Sequence, residues 1–337
     1  VGEDAPGKTQ PMRLVDGLWY GRHPLIWPLM PLSWGYTAIA RLRRFAYRRG
    51  WFEVQRLPVP VIVVGNLTVG GTGKTPLVLW IVERLKALGV RPVIIARGYG
   101  GRARDWPQVV GPDSDPFEFG DEPVLLAQRS GCLVVAGPDR VAAAWLALQL
   151  GDGDVLVSDD GLQHYRLGRD LEIALIDGKR GLGNGRCLPA GPLREPPERL
   201  KDIDWVIYKG GTGPDCRMRL EAGELINLLD PIRRSDLSAL RGRRVRAVAG
   251  IGNPEAFFAQ LTAAGMIIES WPYPDHYPFS AADGRRWQGL PVIMTEKDAV
   301  KCRPFAHPDW WALPVNAVLD PDCEQGLLAQ LRALLHR

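Results

Sequence analysis

The stretch VIVVGNLTVGGTGKTPLVLW, Val61 to Trp80, constrains this chain more than any other. A nearly continuous apolar run leads into a glycine-rich turn, and a helix-forming segment follows at once. Gly70, Gly71, Thr72, Gly73, Lys74 and Thr75 supply what a phosphate-binding loop needs: backbone N–H groups curled toward an anion, a lysine for the β and γ phosphates, and a hydroxyl for Mg²⁺. The pattern departs from G-x-x-x-x-G-K-[ST] at one place, because Thr68 stands where the first glycine is usual. That glycine eases the turn out of the strand, a task Asn66 or Thr68 can take over if the turn differs slightly. A strand, a loop, a helix from Thr75 to Leu88 and the apolar run Pro92 to Ala96 make one βαβ unit, which requires a parallel sheet. Further strands are expected at Leu133 to Ala136, Val155 to Val157, Ile173 to Ile176 and Trp205 to Ile207, each buried on both faces.

A chain of 337 residues, 46% hydrophobic, is long enough for two domains. The expected division is an N-terminal segment over 12–50, a P-loop NTPase core over 51–235 and a smaller α/β domain over 236–337, which alternates again at Val245 to Ala249, a helix from Asn253, and Val292 to Thr295. The net charge of +4 is local, with Arg41, Arg43, Arg44, Arg48 and Arg49 in one short segment, and indicates a basic patch and no nucleic-acid partner. Five cysteines without C-x-x-C spacing suggest neither a disulfide framework nor a zinc site, and a reducing compartment. The opening VGEDAPGKTQ has no apolar core of a signal peptide.

Pro24 to Ala40 carries no charge but is shorter than the roughly 20 residues that span a bilayer, and it contains Pro28 and Pro31. A helix capped by Ser33 is expected to lie in the membrane interface, with Trp34, Ala38, Ile39, Leu42, Phe45 and Ala46 near one face and arginines facing an anionic leaflet. Packing of the same helix on its own domain is the alternative.

A phosphate loop that holds a metal needs an acidic partner. In VLVSDDGLQHYRL a buried strand ends in Asp159 and Asp160, at the end of the sheet where the phosphate loop lies. Adjacent residues point in different directions, so one carboxylate is expected to face Mg²⁺ and the other a water or a backbone donor. Asp121, in GDEPVLLA, reads equally as a helix cap. His276, in YPDHYPF, reads as part of an ordinary loop.

The order of GNLTVGGTGKTP, ARGYGGR, GDEPVLLA, SDDGLQHYRL, LPAGPLREP, AGIGNPEAFF, YPDHYPF and TEKDAVK resembles the tetraacyldisaccharide 4'-kinase family over nearly the whole chain, from about Trp19 onward. The resemblance implies transfer of the γ-phosphoryl of ATP, with Mg²⁺, to the 4'-hydroxyl of a tetraacyldisaccharide 1-phosphate, at the cytoplasmic face of the inner membrane. By motif it makes Asp121 the base for the sugar hydroxyl and pairs it with His276. It assigns Lys74, Thr75, Asp159, Asp160 and Glu195 to phosphate and metal, and Arg194 to phosphate charge. ARGYGGR is expected to be a flexible basic loop near the sugar. A nucleotide-dependent switch or metallochaperone GTPase is the rival reading, but N-K-x-D is absent, Thr295-Glu296-Lys297-Asp298 being misspaced, and the five histidines do not cluster.

Overall fold

The computed structural model describes residues 10–21, 23–71, 73–151, 153–211 and 216–335. Among these, a first sheet is built from β1 (Val61–Gly65), β2 (Pro92–Ala96), β3 (Gln108–Val110), β4 (Val134–Ala136), β5 (Val155–Asp159), β6 (Leu171–Asp177), β7 (Trp205–Lys209) and β8 (Arg217–Ala222). The chain then builds a second sheet from β9 (Leu225–Asn227), β10 (Arg234–Ser235), β11 (Arg244–Ala249), β12 (Ile267–Pro272), β13 (Val292–Thr295) and β14 (Trp310–Leu313). A last strand, β15 (Val315–Leu319), returns to the first sheet.

The first sheet runs β15-β8-β7-β6-β1-β5-β2-β4-β3, parallel from β8 to β4 with antiparallel strands at both edges. Its central strands are buried on both faces, as their unbroken Val/Ile runs require. On β1, Ile62 and Val64 pack to one side with the helices α3 (Lys74–Ala87), α5 (Asp121–Ser130, preceded by the short α4, Pro116–Phe119) and α10 (Pro321–Leu335), while Val61 and Val63 pack to the other with α6 (Arg140–Gln149). Each such side chain contributes on the order of 1.5–3 kcal/mol by leaving water. The second sheet runs β10-β9-β14-β13-β11-β12 and is parallel across its last four strands. The helices α7 (Pro254–Ala263), α8 (Ala281–Arg286) and α9 (Glu296–Cys302) accompany it.

Sheet membership changes between Ala222 and Leu225, not at residue 235, and residues 315–335 go back to the first sheet. Residue 235 itself lies in β10, inside the second sheet. The return explains a second difference: Cys216, at the start of β8, is joined by a disulfide to Cys323 on α10. Their 107-residue separation hides a pairing that only the topology creates.

Near the N-terminus come α1 (Gln10–Tyr20) and α2 (Ile26–Arg48). The second starts before both prolines. Pro28 falls in the first turn, where a backbone N–H would have no helical acceptor, and Pro31 is carried within the helix. Ser33 is therefore no cap; buried in mid-helix, it donates to the Cys187 carbonyl at 2.7 Å. The arginines also differ from expectation, because Arg41 pairs with Glu198, and Arg44 and Arg48 pair with Asp202 of the core.

Candidate active site

β1 ends at Gly65, and the loop that follows is held from both sides. Thr68 bridges to Leu193, the Val69 N–H donates to the Pro192 carbonyl, and Asn66 Nδ2 donates to the Gly70 carbonyl at 3.2 Å. Gly70 at φ 110° and Gly73 at φ 86° take backbone conformations that a side chain would strain, and the turn delivers Lys74 to the first position of α3. The loop thus turns without the missing glycine because Asn66 and Thr68 are both bonded into it. The Lys74 ammonium lies 3.0 Å from Asn66 Oδ1 and 3.2 Å from Asp160 Oδ1.

The strand pairing Val64↔Asp159 sets the end of β5 directly beside the start of this loop. Asp159 is buried, and its Oδ1 has no hydrogen-bond partner among the described residues. Burial, reinforced by the charge of Glu122, pushes its carboxyl up to about 7. Asp160 turns the other way, at φ 52°, a left-handed conformation that aspartate tolerates. Arg194 Nη1 holds both its oxygens at 2.9 and 2.8 Å. Burial works against the charge of Asp160, but Lys74 and Arg194 overcome it and keep the carboxyl far below the usual range. Glu195 is buried beneath, accepting from Tyr165 and Gln163, with Arg199 at 3.8 Å.

Asp121 opens α5 but does not cap it, since Gly120 takes the cap position at φ 92°. A side chain at Gly120 would come within 2.6 Å of the Tyr99 carbonyl, and one at Gly101 within 2.6 Å of the Glu118 carbonyl. The Gly98 to Gly101 loop is therefore packed on the start of α5, and the motif read as a flexible basic loop helps to place Asp121. From the second sheet, the turn after β12 brings His276 at φ 59° so that Nδ1 lies 3.0 and 3.1 Å from the Asp121 oxygens, 155 positions away in the chain. Burial raises the Asp121 carboxyl, yet the His276 hydrogen bond and the charges of Lys297, His276 and Lys301 leave it below its ordinary value. For His276, burial is outweighed by Asp121 and the pKa rises. Lys297 sits 3.1 Å from Glu122, 3.3 Å from Asp275 and 3.2 Å from His276 Nε2.

One cleft of about 820 Å³ takes in Gly70, Gly71 and Lys74, both Asp159 and Asp160, and His276 with Lys297, so the loop and the second-sheet residues face a common space. Tyr36, Ile39 and Arg43 of α2 line it as well.

A family model described as Tetraacyldisaccharide-1-P 4'-kinase matches residues 25–332. The chain belongs to the tetraacyldisaccharide 4'-kinase family. A tetraacyldisaccharide 4'-kinase of Alkalilimnicola ehrlichii is 52% identical over 94% of this chain and 97% of its own length. That of Nitrosococcus oceani is 50% identical over 95% and 94%. A crystal structure of LpxK from Aquifex aeolicus in complex with ATP superposes with a TM-score of 0.78 at 31% identity, covering 92% of this chain and 99% of that one.

In this member of the tetraacyldisaccharide 4'-kinase family, the positions expected from sequence do not all meet. Lys74, Asp159, Asp160, Arg194, Glu195 and His276 line the cleft with Gly70 and Gly71, while Asp121 reaches it through His276. Thr68 faces the Leu193 segment, Gly73 abuts the Lys209 side chain, and Thr72 lies outside the described residues. Arg194 and Asp160 are committed to each other, and Glu195 to Tyr165 and Gln163. Thr295-Glu296-Lys297-Asp298 is no base-reading loop: Thr295 caps α9 and Lys297 serves the Asp121 cluster. Lys297, Lys301, Glu122 and Asn66 were missed as site residues, although TEKDAVK already carried the two lysines.

Proposed function

We infer that the protein is an ATP-dependent kinase that phosphorylates the 4'-hydroxyl of a tetraacyldisaccharide 1-phosphate, and that Asp121 is its base. The observation that carries the role of Asp121 is its contact with His276 beside the cleft that also holds the phosphate loop. On this reading the loop N–H groups and Lys74 bind the β and γ phosphates of ATP. The sugar oxygen forms a bond to the γ phosphorus as the bond to the bridging oxygen of ADP breaks, its electron pair leaving with ADP. The hydroxyl proton passes to Asp121, whose orientation His276 fixes, a contribution of ~10² to 10⁴-fold.

Among the four residues expected at a metal, Asp159 fits best, because its buried oxygen lacks a partner and its charge is opposed by its surroundings. With Thr75 at the start of α3 it would hold Mg²⁺, the rest of the shell coming from phosphate and water. Bound there, the ion would supply positive charge against the phosphates during phosphoryl transfer.

Among the described residues no helix is long and apolar enough to cross a membrane. The outer face of α2 instead exposes Trp27 at 72%, Trp34 at 64%, Ile39 at 69% and Leu42 at 61%. Such a face fits the headgroup boundary of the membrane in which the substrate's acyl chains stay. Arg41, Arg44 and Arg48 are paired with Glu198 and Asp202, so part of their charge is met within the protein and apolar burial carries the larger share of the docking. ATP supply places this surface on the cytoplasmic face of the inner membrane. Transfer of label from γ-labelled ATP to the lipid disaccharide, but not to a soluble sugar, is the expected result. Label on the soluble sugar at equal rate would remove the lipid acceptor from the reading.

A further inference from the structure

The base proposed above takes its partners from two directions, and one of them is a buried lysine. α9 follows β13, and its second turn carries Lys301 into the interior, where the residue is 3% exposed. The Lys301 ammonium lies 3.0 Å from Asp298 Oδ1, 3.5 Å from Asp121 Oδ2 and 5.0 Å from the centre of the Phe279 ring. None of these contacts has the alignment of a hydrogen bond, so the cation acts by charge. Asp298 is itself fixed, accepting on Oδ2 from the Gly250 N–H at 2.9 Å and from Thr295 Oγ1 at 2.6 Å. Asp121 is thus held from two sides, by His276 across both oxygens and by Lys301 at Oδ2.

We propose that Lys301 is a positioning residue for phosphoryl transfer: its ammonium, shared between Asp298 and Asp121, keeps the Asp121 carboxylate ionised and fixes its plane toward the cleft. The proposal rests on the reading of Asp121 as the base. A lysine needed only to neutralise Asp298 would have no reason to sit between two carboxylates from different sheets, because burying a cation costs several kcal/mol unless it is paired. The other charges in reach are His276 and Lys297 on Asp121, and Asp283 near Lys301 through Cys302. Without Lys301, His276 and Lys297 remain to hold the carboxylate, so its titration moves but does not collapse.

The test is kcat against pH for the full chain with the lipid acceptor. K301M alone leaves Asp298 buried and uncompensated, so the informative variant is K301M/D298N, which removes both charges together. The acidic limb of its kcat profile is expected to rise by about one pH unit, an about tenfold loss on the acid side that shrinks toward the plateau, with KM for ATP unchanged. D298N alone should shift the limb the opposite way, because Lys301 then serves Asp121 only. K301R, which keeps a cation, should restore most of the wild-type profile. An unmoved limb in K301M/D298N, or in K301Q should the double variant not fold, overturns the proposal even where melting temperature falls. A D121N chain with wild-type kcat would instead remove the base itself, a failure distinguishable from the first.

Discussion

Replacing Asp159 by asparagine removes a buried charge that the apo fold opposes, and the size of the effect follows from the titration of the group. The carboxyl ionises at about 7 in the folded chain against an ordinary 3.8. A folded-state pKa raised in this way means that the unfolded chain releases the proton first. Stability is therefore complete below pH ~4, falls as pH rises toward 7 and levels off beyond it. With about 1.4 kcal/mol per pH unit, the ionised group costs up to ~4 kcal/mol at pH 8 and ~1–2 kcal/mol at pH 5. An amide in the same place needs partners of its own, which offsets ~1–2 kcal/mol at either pH. D159N should thus melt higher than wild type by ~2 kcal/mol, or ~3 °C, at pH 8 and show no gain at pH 5. Thermal unfolding of both chains in EDTA at the two pH values measures this, and Mg²⁺ with ATP should then raise the melting temperature of wild type far more than that of the variant. A gain equal at both pH values, or a loss at pH 8, would refute the assignment of Asp159 as an unsatisfied buried carboxylate kept for a cation.

Lys74→Ala should lower kcat by ~10²–10³-fold through lost phosphate charge, while the loss in Thr75→Ala should be partly restored by raised Mg²⁺; initial rates across a Mg²⁺ series separate the two, and a rescue of the lysine variant would contradict its role. Asp121→Asn and His276→Ala should each cut kcat by ~10² to 10⁴-fold with ATP affinity nearly intact, and the double variant should be little worse than the poorer single one, since the two act as a unit; multiplied losses would separate them. Exchanging Trp27 and Trp34 for aspartate should release the protein from sedimenting lipid vesicles and leave ATP binding in solution unchanged, whereas retention on the vesicles would move the membrane contact elsewhere.

How far the sequence reads through to this architecture depends on the range of the interactions. β1, β2, β5 and α3 are legible to within a few residues because burial on both faces and the glycine turn are local properties. Strand β8, RMRLEA, alternates apolar with polar residues, β15, VNAVL, is a short run at the sheet's edge, and their pairing closes only when the chain returns from the second sheet. The same return makes the Cys216 to Cys323 link, which no spacing rule finds. The arginines of α2 looked free because their acidic partners, Glu198 and Asp202, lie some 150 residues on. Lys297, inside a misspaced guanine motif, and Lys301, at the end of TEKDAVK, were visible without a role, since a lysine's charge says nothing about which carboxylate the fold will set against it.

The pair Asp159-Asp160 shows why a site can be located in sequence and still not be read. Two identical residues, adjacent in the chain, reach opposite electrostatic states: one pushed up to about 7 by burial, the other held far down by Lys74 and Arg194. Chemistry at the residue level cannot distinguish them. The distinction is made by backbone, because Asp159 is the last residue of β5 and stays in register with Val64, while Asp160 leaves the strand at φ 52° and swings toward α3. Once Asp160 has turned, Lys74 and Arg194 neutralise it at contact, while at Asp159 the charges of Lys74 and Arg140 do not offset burial and the charge of Glu122. The division of labour is thus a property of one turn, and any substitution that forbids a positive φ at position 160 should disturb both carboxylates at once.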